Sequence, residues 1–180
     1  IPARPTWEDL VTSMFLHGGW THVLGNLWTL WIFGDNVEDR LGKFRFLALY
    51  LLSGVVAGAV QVAAAPGSTL PVIGASGALF GLMFAFAKFF PTQQFLILFL
   101  FPVQARYAVI IFGVIELLSI MSNDRIAHIA HLGGALFAWL YFTFEDRGAQ
   151  ALSRWKNRKV ERAHRAVRKT QEEVGQVMVD

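Results

Sequence analysis

Pro71-Val72-Ile73-Gly74-Ala75-Ser76-Gly77-Ala78-Leu79-Phe80-Gly81 sets one hydroxyl among small residues at the mouth of an apolar segment. Pro71 stops any helix before it, and the small residues at 74, 75 and 77 let other backbone come close. From Ala78 to Phe90 the chain is apolar apart from Lys88, which predicts that Ser76 lies in the first turn of a membrane helix. A nucleophile there sits beside unpaired backbone N–H groups and the positive end of the helix dipole, and both favour a developing oxyanion. The same small residues also suit plain helix packing within a bilayer. The G-x-S-x-G elbow of soluble hydrolases is excluded, because Ala78 stands where its second glycine belongs.

Working outward, the 180 residues are 54% hydrophobic and include sixteen Phe, with a mean hydropathy of +0.45. That is too apolar for an ordinary soluble domain and predicts a membrane protein. The net charge of +3 hides a split, since nine of the sixteen Lys and Arg follow residue 145. Such asymmetry reports topology and gives no reason to expect a nucleic-acid partner. Without cysteine there is no disulfide framework and no thiolate chemistry. Ile1-Pro2-Ala3-Arg4-Pro5 is no signal peptide, and the chain is expected to begin partway into a longer one.

Five apolar spans are expected. Residues 1–21, rich in Trp, Phe, His and Gly, suit a membrane interface, and His22 to Phe33 forms a short first span ended by the polar block 34–45. Phe46 to Ala65 is the second, with Gly54 and Gly58 as a small-xxx-small pair. After an uncharged turn at 66–71 the third runs from Ser76 to Phe90, with Gly77 and Gly81 again four apart, and Pro91 closes it. Phe95 to Pro102 is too short to cross and is expected as an interfacial loop. Tyr107 to Met121, carrying Glu116, is the fourth span; Ser122 to Arg125 makes a tight turn; Ile126 to Phe144 is the fifth. Together they form a membrane domain over 1–145. Residues 146–180 form a basic tail, either an amphipathic helix on anionic lipid or a plain solvated segment.

Alternating through five spans, one side collects Arg40, Lys43, Arg45, Lys88, Arg106 and the tail, whereas the other holds Arg4 and Arg125. The positive-inside rule makes the first side, with the C-terminus, cytoplasmic, and a bacterial inner membrane is the expected location. His22, Asn26, Ser76 and His131 then share one depth in the outer half.

Ionisable and polar residues within spans are costly and tend to be functional. His131 is placed to act as general base to Ser76. The outward turn offers only Asp124, so the expected pair is a Ser–His dyad without a carboxylate. His22 and Asn26, four apart, share a helix face and are candidate hydrogen-bond donors to an oxyanion, alongside the backbone N–H of Ser76. Other readings stay open at this point. His128 serves equally well as interhelical glue, and Glu116 as a buried hydrogen-bonding group. His17, His22, His128 and His131 are also conceivable metal ligands, though no metal-binding spacing supports them, and no metal or cofactor is expected.

The chain resembles the rhomboid family of intramembrane serine proteases over roughly residues 10–145. The resemblance rests on His17-Gly18-Gly19-Trp20-Thr21-His22-Val23-Leu24-Gly25-Asn26, on Phe33-Gly34 with Glu38-Asp39-Arg40-Leu41-Gly42, on Gly74-Ala75-Ser76-Gly77, and on Ala130-His131-Leu132-Gly133-Gly134. It implies an all-α membrane helix bundle that cleaves transmembrane protein substrates. It also implies Ser76 as nucleophile, His131 as general base, and His22, Asn26 and the backbone around Ser76, including Ala75, as the oxyanion site. Gly74 and Gly77 support that site, and Phe80 stands where the family packs an aromatic ring on the catalytic His. Gly77 and Gly81 on one helix and Gly134 and Ala138 on another fit the close crossing that would join Ser76 to His131. Three features depart from the family. Its first membrane helix is absent, the outer loop has Trp7-Glu8 where some members have Trp-Arg, and His128 is a second imidazole near the base. The alternative function is a catalytically inactive rhomboid-like protein that binds transmembrane clients; a transporter would call for an inverted repeat, and none is visible.

Overall fold

The computed structural model describes residues 6–66, 71–97, 100–122 and 126–177. The expected turns at 66–71 and 122–125 fall mostly outside these residues, as do Arg4, Asp124 and Arg125. Thr6 opens helix α1 (Trp7–Thr12) with a reciprocal capping box: its hydroxyl accepts from the Asp9 N–H, and its own N–H donates to the Asp9 carboxylate at 2.8 Å. The donated N–H holds the Asp9 carboxyl below the usual carboxylate range. A 3₁₀ turn, Ser13–Phe15, follows.

Helix α2 (Trp20–Leu41) runs two turns past the expected end of the first span. The polar block does not break it, because Phe33, Val37 and Leu41 recur every four residues and are all buried, which leaves Asp35, Asn36, Asp39 and Arg40 on exposed positions. The stop comes at Gly42, whose φ of +74° is left-handed backbone that suits glycine. Helix α3 (Lys43–Ala64) starts immediately after it. Its 22 residues reach about 33 Å, enough for a hydrocarbon core, and it is the one described helix long and apolar enough to cross a membrane.

Helix α4 (Ser76–Phe89) is the most enclosed element: Ala78, Leu82 and Ala85 are fully buried, with α2 and α3 packed against it. The interfacial loop expected at 95–102 is instead an antiparallel ribbon, β1 (Gln94–Ile97) with β2 (Phe101–Gln104), in which Gln94 faces Gln104 and Phe95 faces Val103. Pro102 misleads the sequence reading here; lacking an N–H, proline is still tolerated where each strand has an unpaired edge. Phe95 packs edge-on against Phe33 at 5.6 Å, which ties the ribbon to α2.

Helix α5 (Ala105–Ser119) follows, packed on α4, and α6 (His128–Val177) ends the chain. By its contacts the chain divides into residues 1–140 and 141–180. In the second unit helix continues through the basic tail, and its described side chains from 145 to 162 are exposed, Leu152, Trp155 and Val160 included. The first unit is an all-α helical bundle with one small ribbon.

Its centre is a seam of small residues. A Cβ on Gly81 would run into the fully buried Ser53 of α3, one on Gly77 would lie 2.5 Å from the Ala57 Cβ, and one on Gly134 would collide with the Gly77 carbonyl. Three helices therefore cross at backbone distance, the arrangement small residues allow in membranes. The expected pairing of Gly77 and Gly81 with the start of α6 is present, and it carries Ser76 toward His131.

Candidate active site

Ser76 opens α4, and no side chain caps that end, so the first N–H groups of the helix remain available near its hydroxyl. Just before it, Gly74 adopts φ +108°, and its N–H donates to the Ser13 carbonyl at 2.9 Å. A Cβ at Gly74 would sit 2.6 Å from His22 Nε2 and 3.5 Å from Asn26 Nδ2. Glycine at 74 thus serves two needs at once, a left-handed turn and room for two hydrogen-bond donors beside Ser76.

His131 Nε2 lies 2.7 Å from Ser76 Oγ, a contact across 55 positions of sequence. The Phe80 ring stacks on the His131 ring, centroids 4.5 Å apart and 6° from parallel, which fixes the plane of the imidazole. The first turn of α6 is held in turn by α3, where Gln61 Oε1 accepts from the Ala130 N–H at 3.1 Å.

Just before α2, the Gly18 N–H donates to Nδ1 of His22, in the first turn of that helix, at 3.3 Å. That assignment leaves the ring proton of a neutral His22 on Nε2, the atom turned toward Gly74. Asn26 is 8% exposed, and its Nδ2 is buried with no partner. An unsatisfied buried amide donor is costly unless something arrives to accept from it. A cavity of about 680 Å³ joins these groups, lined by Gly18, His22, Asn26, Ile73, Ser76, Phe80 and His131 among others.

One expectation is corrected. A carboxylate does reach His131: Glu116 Oε2, from α5, lies 3.0 Å from His131 Nδ1, although too far out of line to count as a full hydrogen bond. The same oxygen is 2.5 Å from His128 Nδ1, whose other nitrogen is 3.3 Å from Ser122 Oγ. Sequence spacing pointed only to Asp124, because the 14 residues between Glu116 and His131 hide the return of the chain. His17 and His22, 5.0 Å apart ring to ring, stand apart from this group, so the four histidines expected as conceivable ligands do not form one set; among the described residues the metal-like grouping is Glu116, His128 and His131. Gln61 and Ser122 also escape a sequence reading; a lone amide inside an otherwise apolar span was the available signal for Gln61.

The class of protein is thus an all-α helical bundle that brings a serine and a histidine into contact at one cavity. The family model for the Rhomboid domain matches residues 4–145, and the chain belongs to the rhomboid family. It is 33% identical over 159 residues to mouse (Mus musculus) presenilin-associated rhomboid-like protein, mitochondrial, covering 84% of this chain and 40% of that one. It is 35% identical over 156 residues to Arabidopsis thaliana rhomboid-like protein 11, chloroplastic, covering 78% and 54%. The rhomboid protein YdcA of Bacillus subtilis is 32% identical over 152 residues, with 81% and 72% covered. The chain thus spans about two fifths of the length of the mitochondrial relative. The expected bacterial inner membrane with a cytoplasmic C-terminus is overturned by these relatives, of which the mouse protein is named mitochondrial and the Arabidopsis protein chloroplastic. The physical reason is that a bias in Lys and Arg reports the side of a membrane and carries no information about which membrane it is.

Proposed function

We propose that this chain is an intramembrane serine endopeptidase acting on transmembrane protein substrates. The observation that carries the reading is the 2.7 Å contact between Ser76 Oγ and His131 Nε2, at a cavity edged by an unpartnered Asn26 amide. The Ser76 O–H gives its proton to His131 Nε2 as Oγ attacks the scissile carbonyl carbon. The carbonyl oxygen becomes an oxyanion, which accepts hydrogen bonds from Asn26 Nδ2, His22 Nε2 and the N–H groups that open α4. Collapse expels the amine, which takes the proton from His131 and leaves an acyl ester on Ser76. A water then gives a proton to His131 as it attacks the ester, and His131 passes that proton to Ser76 Oγ as the acid leaves, restoring the hydroxyl and the neutral imidazole.

In this reading α2, α4, α5 and the first turns of α6 cross the bilayer with α3. The 14 residues of α4 span only about 21 Å against a core of about 30 Å. A helix that starts at one interface therefore brings Ser76 roughly 10 Å below the other, and the cavity is what lets water reach that depth. Removing one oxyanion donor isolates this part of the mechanism. In liposomes holding a membrane-anchored reporter, Asn26→Ala is expected to lower kcat about 10²–10³-fold, equivalent to about 3–4 kcal/mol, with Ser76 still in place. A variant as fast as the parent would remove Asn26 from the oxyanion site.

A further inference from the structure

We propose that Glu116 is a positioning residue that holds His131 in the tautomer and orientation able to take the proton of Ser76; this rests on the protease reading above. The carboxylate is nearly enclosed, with 13% of its side chain exposed, and comes from α5, an element that contributes nothing else to the reacting pair. One oxygen, Oε2, is hydrogen-bonded to His128 Nδ1 at 2.5 Å and lies 3.0 Å from His131 Nδ1, an ion-pair distance that a small rotation of either side chain would bring into hydrogen-bond alignment.

An ionised carboxylate only accepts hydrogen bonds, so it favours a proton on each facing Nδ1. With Nδ1 of His131 protonated, the lone pair is on Nε2, the atom in contact with Ser76. A neutral imidazole has two tautomers, and only this one can act as base. The same carboxylate faces the positive charge that His131 gains during attack, and in a water-poor interior that attraction is strong. His128 serves Glu116 in turn: one nitrogen fixes Oε2 and the other meets Ser122, so the carboxylate is held by a second imidazole. The result is a line of contacts, Ser122 to His128 to Glu116 to His131 to Ser76.

The three side chains also have the composition of a metal site. Their spacing argues for shared protons, since two ligands on a tetrahedral zinc stay about 3.3 Å apart, and here the nitrogen-to-oxygen distances are 2.5 and 3.0 Å.

The test compares the parent chain with Glu116→Gln and Glu116→Asp in liposomes, reading reporter kcat and KM and the rate at which a fluorophosphonate labels Ser76. Glutamine keeps the shape but offers an amide N–H to Nδ1, which drives the His131 proton to Nε2. We expect kcat and the labelling rate to fall together by about 10²–10⁴-fold, with KM within twofold of the parent. Aspartate restores the charge and is expected to be at least tenfold faster than glutamine. A glutamine variant with parental kcat, equal losses in both variants, or a change confined to KM would overturn the role of Glu116 while leaving the protease reading intact. Loss of parental activity on chelator treatment would overturn it in favour of a metal. A parent chain that neither cleaves nor labels would overturn the protease reading itself.

Discussion

Replacing Ser76 with alanine is expected to abolish reporter cleavage, and replacing His131 with alanine to do the same, each by about 10⁴-fold or more, while both variants still insert into the membrane. The expectation follows from how few alternatives the site offers. Among the described residues the imidazole hydrogen-bonded to Ser76 is that of His131; His128 is turned toward Glu116 and Ser122, and the Nδ1 of His22 accepts from the Gly18 N–H. Neither substitution introduces a clash. Alanine at 76 keeps the helix start, whereas alanine at 131 removes a buried ring that opens onto the cavity, so insertion and thermal unfolding of that variant are read beside its activity. The two effects should not add, because nucleophile and base act as one unit, and the double variant is expected to be no slower than either single one. Retained cleavage in Ser76→Ala or His131→Ala would end the proposed mechanism.

The second large effect is structural. Gly134→Val places branched carbons where α6 meets the Gly77 carbonyl, a rigid piece of backbone that cannot turn aside as a side chain would. The helices must separate, and the separation acts directly on the Ser76 to His131 contact. A loss of about 3 kcal/mol or more in unfolding free energy is expected, at the upper end for overpacking, together with loss of cleavage. Gly113→Ala is the control. Nothing lies within 4 Å of the Cβ it would add, and alanine is the better helix former by about 1 kcal/mol, so this change should be neutral or stabilising. Thermal unfolding in detergent, followed by helix signal, checks both. A Gly134→Val protein as stable as the parent would show that the seam does not set the helix spacing.

Much of this arrangement is legible in the chain itself. Small residues four apart at Gly77 and Gly81, with Gly134 beyond, indicate a close helix crossing, and Phe80 shares a face with Ser76 by the helix period, whereas its stacking on His131 was implied by the family resemblance. His22 and Asn26 share a face for the same reason. What sequence could not supply was contact between elements that periodicity does not link. Glu116 is an obvious oddity in an apolar span, but its own helix says only that it is buried, and its partners come from α6. The end of α2 misleads in another way: counting charges in 34–45 suggests a stop, whereas the buried stripe of Phe33, Val37 and Leu41 keeps the helix going until Gly42. The ribbon at 94–104 is hidden because two prolines look like breakers and no local signal announces which strand will pair.

The most direct measurement is mass spectrometry of the chain after reaction with a fluorophosphonate, with the adduct located by fragmentation. One adduct at Ser76 is predicted, absent from His131→Ala at the same exposure. An unlabelled Ser76 in folded protein, or equal labelling with and without His131, would contradict activation of that serine by that histidine.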